Sequence, residues 1–186
     1  MRHYVSTAAW LLILATPAVA QDPATLANWH QLRGPLASGV APQGDPPTTW
    51  SDTEHIRWKV EIPGVGSSTP IVWNDRVFLL TAIESDQKVE TVPDPADQPM
   101  RAFGIKFPNR IHAFVVLCLD RATGKTVWQK TAIEQLPHEG HHPDNDFASA
   151  TPITDGKSLF VSFGSRGVFC FDLGGNLKWQ ADFGDL

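Results

Sequence analysis

The chain predicts an all-β fold made of four-stranded antiparallel sheets, and three observations carry that expectation. Short stretches alternate apolar and polar residues, with Gly, Pro, Asp and Asn between them. Few stretches hold an apolar period of 3.6 residues for a useful length. Finally, one block of the sequence recurs.

The recurrence is read by laying two segments side by side. The first contains STPIVWNDRVFLLTA (68–82) and VVLCLDRATGKTVWQK (115–130); the second contains ATPITDGKSLFVSFGS (150–165) and GVFCFDLGGNLKWQAD (167–182). Cys118 matches Cys170 and Asp120 matches Asp172, both at an offset of 52 residues, while Trp128 matches Trp179 at 51. The missing residue falls in the turn, where Asp-Arg-Ala-Thr-Gly-Lys becomes Asp-Leu-Gly-Gly-Asn. Thr69-Pro70-Ile71 matches Thr151-Pro152-Ile153 at 82, because the first copy carries an insertion over 84–112.

Each copy predicts four strands. Strand a follows Thr-Pro. Strand b covers Val77–Ile83, then Leu159–Phe163. Strand c covers Phe114–Leu119, then Val168–Phe171, and strand d surrounds Trp128, then Trp179. Asp120 and Asp172 open the c–d hairpins as turn-capping carboxylates, and Gly124 and Gly175 supply the positive φ that those turns need. A four-stranded unit of about 40–50 residues, repeated, predicts β-propeller blades. Blade one spans 68–132 and blade two 149–183. Before them, HIRWKVEIPG places Trp58 where Trp128 and Trp179 stand, so 56–62 reads as an orphan outer strand. Recurring Trp supply large rigid area to the contacts between blades. Two blades do not close a ring of about four to eight, so the remaining blades are expected from the rest of a longer chain, or from oligomerisation. Cys118 and Cys170 take equal places in successive blades. Packed sheets lie roughly 10 Å apart, beyond the roughly 7 Å Cα limit of a bridge, and no disulfide is expected.

The first twenty residues read as a signal peptide. Arg2 and His3 precede the apolar run Ala8–Ala15, and Ala18-Val19-Ala20 forms a small-residue cleavage site. Residues 21–55 form a leader and 56–186 a partial propeller. The implied protein is exported, periplasmic or extracellular, soluble and without a membrane span. Its formal net charge is −5, with no run of Lys or Arg, so nucleic acid is a poor partner.

The segment Cys118-Leu119-Asp120-Arg121-Ala122-Thr123-Gly124-Lys125-Thr126-Val127-Trp128 resembles the pyrroloquinoline-quinone-type propeller repeat, which runs roughly Ala-x-Asp-x-x-Thr-Gly-x-x-x-Trp. The copy at Cys170–Trp179 is a looser match. NWHQLRGP (28–35) is similar to the start of many exported proteins of this group. The resemblance implies either of two functions. Some members are quinone-dependent alcohol or sugar dehydrogenases using pyrroloquinoline quinone and calcium. Others carry the same blades without a cofactor, such as the propeller subunit of the outer-membrane barrel-assembly machinery. The adjacent cysteine pair of the alcohol dehydrogenases has no counterpart here, and no position can be assigned to a calcium cluster or a catalytic Asp.

Other candidates come from the residues themselves. His138-Glu139-Gly140-His141-His142 spells H-E-x-x-H, but a zinc-protease site needs a helix. Pro137, Gly140 and Pro143 refuse one. A metal held by a loop is a separate possibility, with His138, His141, His142 and Asp144 as ligands beside Glu139 and Asp146; the alternative is a solvated polar loop. Arg166, at the b–c turn of blade two, could meet an anion. In an antiparallel blade the b–c and d–a connections share one rim. The insertion and the His-rich segment 137–148 therefore belong on one face, which is expected to bind a protein, peptide or glycan. A non-catalytic binding or scaffold module is the first reading; the dehydrogenase, with its catalytic residues elsewhere, is the alternative.

Overall fold

The computed structural model describes residues 23–41, 44–90, 105 and 107–184; residues 1–20, expected to be a signal peptide, lie outside them, as does most of the insertion. After a single helical turn, α1 (Pro23–Leu26), come eight strands among the described residues. They are β1 (Ile71–Trp73), β2 (Arg76–Lys88), β3 (Arg110–Asp120), β4 (Thr126–Gln135), β5 (Ile153–Thr154), β6 (Ser158–Ser162), β7 (Val168–Asp172) and β8 (Leu177–Ala181). They make two antiparallel sheets, in the orders β1-β2-β3-β4 and β5-β6-β7-β8. The chain is all-β, and each sheet is a meander in which sequence neighbours pair.

Local chemistry sets the turns. Asn74 takes φ +53° between β1 and β2, a conformation its short polar side chain tolerates. Asp155 receives the amides of Ser158 (2.6 Å) and Lys157 (2.8 Å), which folds the β5–β6 turn and holds its carboxyl below the ordinary aspartate range. The β3–β4 and β7–β8 hairpins turn at Gly124 (φ +73°) and Gly175 (φ +85°).

The middle strands of sheet one are buried on both faces. Phe78, Leu80 and Ala82 of β2, with Phe114, Val116 and Cys118 of β3, point one way into a core shared with Leu159, Val161, Phe169 and Phe171 of sheet two. Val115, Leu117 and Leu119 point the other way and are also buried. The segment from Trp58 to Val65 crosses that second face. Trp58 Nε1 donates to the Arg121 carbonyl (2.9 Å), Thr81 Oγ1 donates to the Pro63 carbonyl (2.7 Å), and Val65 pairs with Ala82. This corrects the expected strand over 56–62, which has no ladder in the structure. Only Trp58 and Ile62 of its alternating apolar residues are half-buried, while Ile56 and Val60 stay exposed, so the alternation does not mark a strand.

Two further differences from the sequence reading concern edges. β2 continues to Lys88 and β3 begins at Arg110, so the hairpin stem extends into the expected insertion, with Val89 N–H bonded to the Asn109 carbonyl (2.9 Å). Polar Glu84–Lys88 read as loop because backbone pairing there outruns the apolar core; Arg110 lies 3.4 Å from Glu84 and 3.7 Å from Asp86. The leader, in turn, ties the two sheets together. Trp29 exchanges both backbone bonds with Val72 (3.0 and 2.8 Å), and the His30 carbonyl receives the Thr154 amide (3.1 Å). Asn28 Oδ1 accepts the Asn74 amide (2.6 Å). The first strand of each sheet therefore has part of its free edge capped.

Candidate functional site

The connection from β4 to β5 packs through Phe147. This ring meets His141 edge-on at 4.7 Å between centroids and His112 at 5.0 Å. Phe163, just before a 3₁₀ turn (Gly164–Arg166), meets Phe114 at 5.3 Å. Phe114, Phe147 and Phe163 floor an open cleft of about 580 Å³, walled by the His-rich connection and the 3₁₀ turn and lined also by Ile105 from the insertion. The insertion, the His-rich segment and the β6–β7 turn thus meet at one place.

Several rim residues have defined partners. His138 Nδ1 lies 3.2 Å from Ser165 Oγ. Arg166 donates to Gln135 Oε1 (2.7 Å) and to the Leu136 carbonyl, pinning the 3₁₀ turn to the end of β4. Asp146 receives Ser67 Oγ–H (2.5 Å) and the Ala148 amide (2.8 Å), which fastens the connection to the segment before β1. His141 Nδ1 is 2.9 Å from the His142 carbonyl and must therefore carry its proton there. His142 Nδ1 is 3.2 Å from the Asp144 amide and 3.5 Å from the Asp144 carboxylate. The amide bond is the shorter and makes that nitrogen an acceptor, which puts the imidazole proton on Nε2.

Of the four loop candidates for a metal, His138, His141 and His142 line the cleft, whereas Asp144 is exposed and lies outside its wall. Among the described residues no three His, Cys, Asp or Glu side chains converge as a metal set. Sequence reasoning missed Phe147 and Phe163 as cleft residues. Phe147 lies in an irregular connection with no periodic signal, and Phe163 closes the expected strand b, which gave no hint that its ring lines a cleft.

The repeat residues serve the stacking of the chain rather than the cleft. Asp120 receives Thr123 Oγ1–H (2.6 Å) and the Thr123 amide (2.8 Å); Asp172 receives Asn176 Nδ2 (2.8 Å) and the Asn176 amide (2.9 Å). These bonds hold both carboxyls below the ordinary aspartate range. A methyl at Gly124 would meet Trp58 at 2.6 Å, and one at Gly175 would meet Trp128 at 2.8 Å. Trp179 is exposed. Cys118 and Cys170 are buried free thiols, and burial pushes Cys118 up to about 11.

Neither a scan against protein-family models nor a search of curated proteins returns a match to this chain. No helix among the described residues is long and apolar enough to cross a membrane.

Proposed function

We propose that the chain is part of an exported β-propeller of the pyrroloquinoline-quinone-like repeat type, acting as a non-catalytic binding or scaffold module. Its ligand is a protein, peptide or glycan seated in the cleft beside the His-rich connection. The observation that carries this reading is the meeting of three loops over an aromatic floor with a polar rim. Phe147, half-buried above the buried Phe114 and Phe163, offers an apolar face to an aromatic side chain or a sugar ring, while the His138–His142 stretch offers donors and acceptors around it. The rim groups Asp146 and Arg166 are engaged in fixing loop shape. That arrangement suits recognition by a preformed surface. Export rests on the pattern from Arg2 to Ala20, and the propeller on two sheets of equal topology stacked through one core.

The test is a binding screen of the purified chain against peptide and glycan panels, followed by calorimetry on any hit. Phe147→Ala should weaken binding at least about tenfold, equivalent to about 1.4 kcal/mol, while far-ultraviolet circular dichroism stays unchanged. Saturable uptake of pyrroloquinoline quinone with calcium, accompanied by dye-linked alcohol oxidation, would replace this reading with the dehydrogenase. Binding that ignores Phe147→Ala would remove the cleft from it.

A further inference from the structure

The rim opposite the cleft carries a second hollow. There the leader crosses the free edge of β1, beside the β1–β2 turn and the β3–β4 hairpin. Between these elements lies an open cavity of about 310 Å³, near the lower end of the roughly 300–1,000 Å³ that small-molecule pockets occupy. Leu26, Trp29, Pro35 and Val72 give it apolar walls, and Arg121 is the one charged residue among its described lining. The wall is preformed. Trp29 is bonded to Val72 through both backbone groups, and its ring is seated over Gly34, where a methyl would come within 2.6 Å.

Arg121 is held in place as firmly as the wall. Its amide donates to the Asp75 carbonyl (2.8 Å), and its carbonyl receives Trp58 Nε1–H (2.9 Å). One side-chain bond aims the guanidinium, from Nη1 to the Asn74 carbonyl (3.2 Å). The Asn74 amide is in turn held by Asn28 Oδ1 (2.6 Å). A guanidinium has several further N–H donors in a planar fork, and here no acid takes them. The two neighbouring carboxylates are turned to other partners: Asp120 accepts from Thr123, and Asp75 lies 3.9 Å from Arg76. Arg110, by contrast, faces Glu84 and Asp86, and Arg166 is bonded to the end of β4. Arg121 is also exposed, so a ligand can reach it.

We propose that this cavity binds a monocarboxylate carried on a small apolar body. The carboxylate sits on the unused donors of Arg121, and the body lies against Leu26, Trp29 and Val72. The planar fork matches the two oxygens of a carboxylate. A single positive charge balances one negative charge, whereas a phosphate dianion would leave charge against apolar walls. Two sources carry this chemistry: the C-terminus of a peptide ending in an apolar residue, and a free aromatic or aliphatic acid. The site uses none of the cleft residues and stands whether or not the cleft binds a ligand.

The test is calorimetric titration of the full chain with two acids and their neutral counterparts. The pairs are phenylacetate with phenylacetamide, and the tripeptide Ala-Ala-Phe with its C-terminal amide. At least one acid should bind saturably, and its amide at least about tenfold more weakly. Arg121→Gln should weaken the acid by a similar factor and leave acid and amide level. Leu26→Glu places a competing carboxylate in the wall without touching the anchorage of Arg121, and should have the same effect. Phe147→Ala, in the cleft, should change neither affinity. Tighter binding of the tripeptide assigns the site to a peptide C-terminus; equal or tighter binding of phenylacetate assigns it to a free acid. The proposal is overturned if neither acid saturates the chain at up to about 10 mM, or if the amides bind as tightly as the acids. Undiminished binding by either variant, with its fold verified by far-ultraviolet circular dichroism, overturns it as well.

Discussion

Sheets one and two are nearly the same object in different company. Both present Ile, Phe, Cys and Trp in register across four strands, as Ile71, Phe78, Cys118 and Trp128 and as Ile153, Phe160, Cys170 and Trp179, yet the row is buried in sheet one and half open in sheet two. Burial is therefore a property of the stack, not of the sheet. A sheet of this kind has two apolar faces and can bury only one against a single neighbour. The comparison also separates two roles for Trp. Trp128 is an inter-sheet clamp, with area, a hydrogen bond to the Leu173 carbonyl (3.1 Å) and a seat on Gly175. Trp179 has the same intrasheet setting without the seat.

The largest effect should come from the phenyl rings of the two rows. Phe78→Ala leaves a cavity in a closed core and should cost about 3–5 kcal/mol of unfolding free energy. Phe160→Ala, at the half-open equivalent, should cost about 1–2 kcal/mol. Urea denaturation followed by circular dichroism measures both. Equal losses would mean that the two rows are covered alike in solution. Next in size are the indoles: Trp128→Ala should cost about 3 kcal/mol, through lost burial and the Leu173 bond, and Trp179→Ala under about 1 kcal/mol.

Much of this comparison was legible in the sequence. The run Phe114–Leu119 announces a strand, and Asp120…Gly124…Trp128 with its second copy announces the hairpins. What could not be read depends on neighbours in space. Trp29 meets Val72 because β1 is a free edge, which one sequence position cannot reveal. Residues 56–62 alternate like a strand yet find no partner. Glu84–Lys88 are polar yet find one in the stem of a hairpin. The cleft was legible only as a place, from loop connectivity; its floor was not, because Phe147 sits in an irregular segment without a period and Phe163 only closes the expected strand b.

The hairpin glycines sharpen the difference between a seat and a bare turn. Gly175→Ala meets both the left-handed backbone (φ +85°) and the Trp128 ring at 2.8 Å, and should cost about 2 kcal/mol. Gly164, in the β6–β7 turn, has φ +62° with nothing within 4 Å, so Gly164→Ala should cost only the strain, about 1 kcal/mol. Equal costs in thermal unfolding would show that Trp128 yields freely and is no clamp.

The smallest effect concerns the capping carboxylates, where the two sheets differ only in chemistry. Asp120 is held below its ordinary value near 3.8 first by the Thr123 hydroxyl and then by the Thr123 amide. Asp172 is held down first by the Asn176 side chain and then by its amide. A carboxyl whose folded pKa is depressed binds its proton more readily in the unfolded chain. Its stabilisation is thus complete above about 3.8 and is lost as pH falls through the lower folded value. Thermal midpoints below pH 4 should therefore decline less steeply in Asp120→Asn and Asp172→Asn than in the parent, each variant starting from a slightly lower midpoint at pH 7. Hydrogen bonds lead both shifts, and short bonds are screened less than distant charges. The difference in slope should accordingly persist in 0.5 M sodium chloride, about five times the roughly 0.1 M at which the Debye length is about 10 Å. A slope difference that vanishes in salt would assign the shifts to Lys125 and Lys178 instead, the charged neighbours that rank last for these groups.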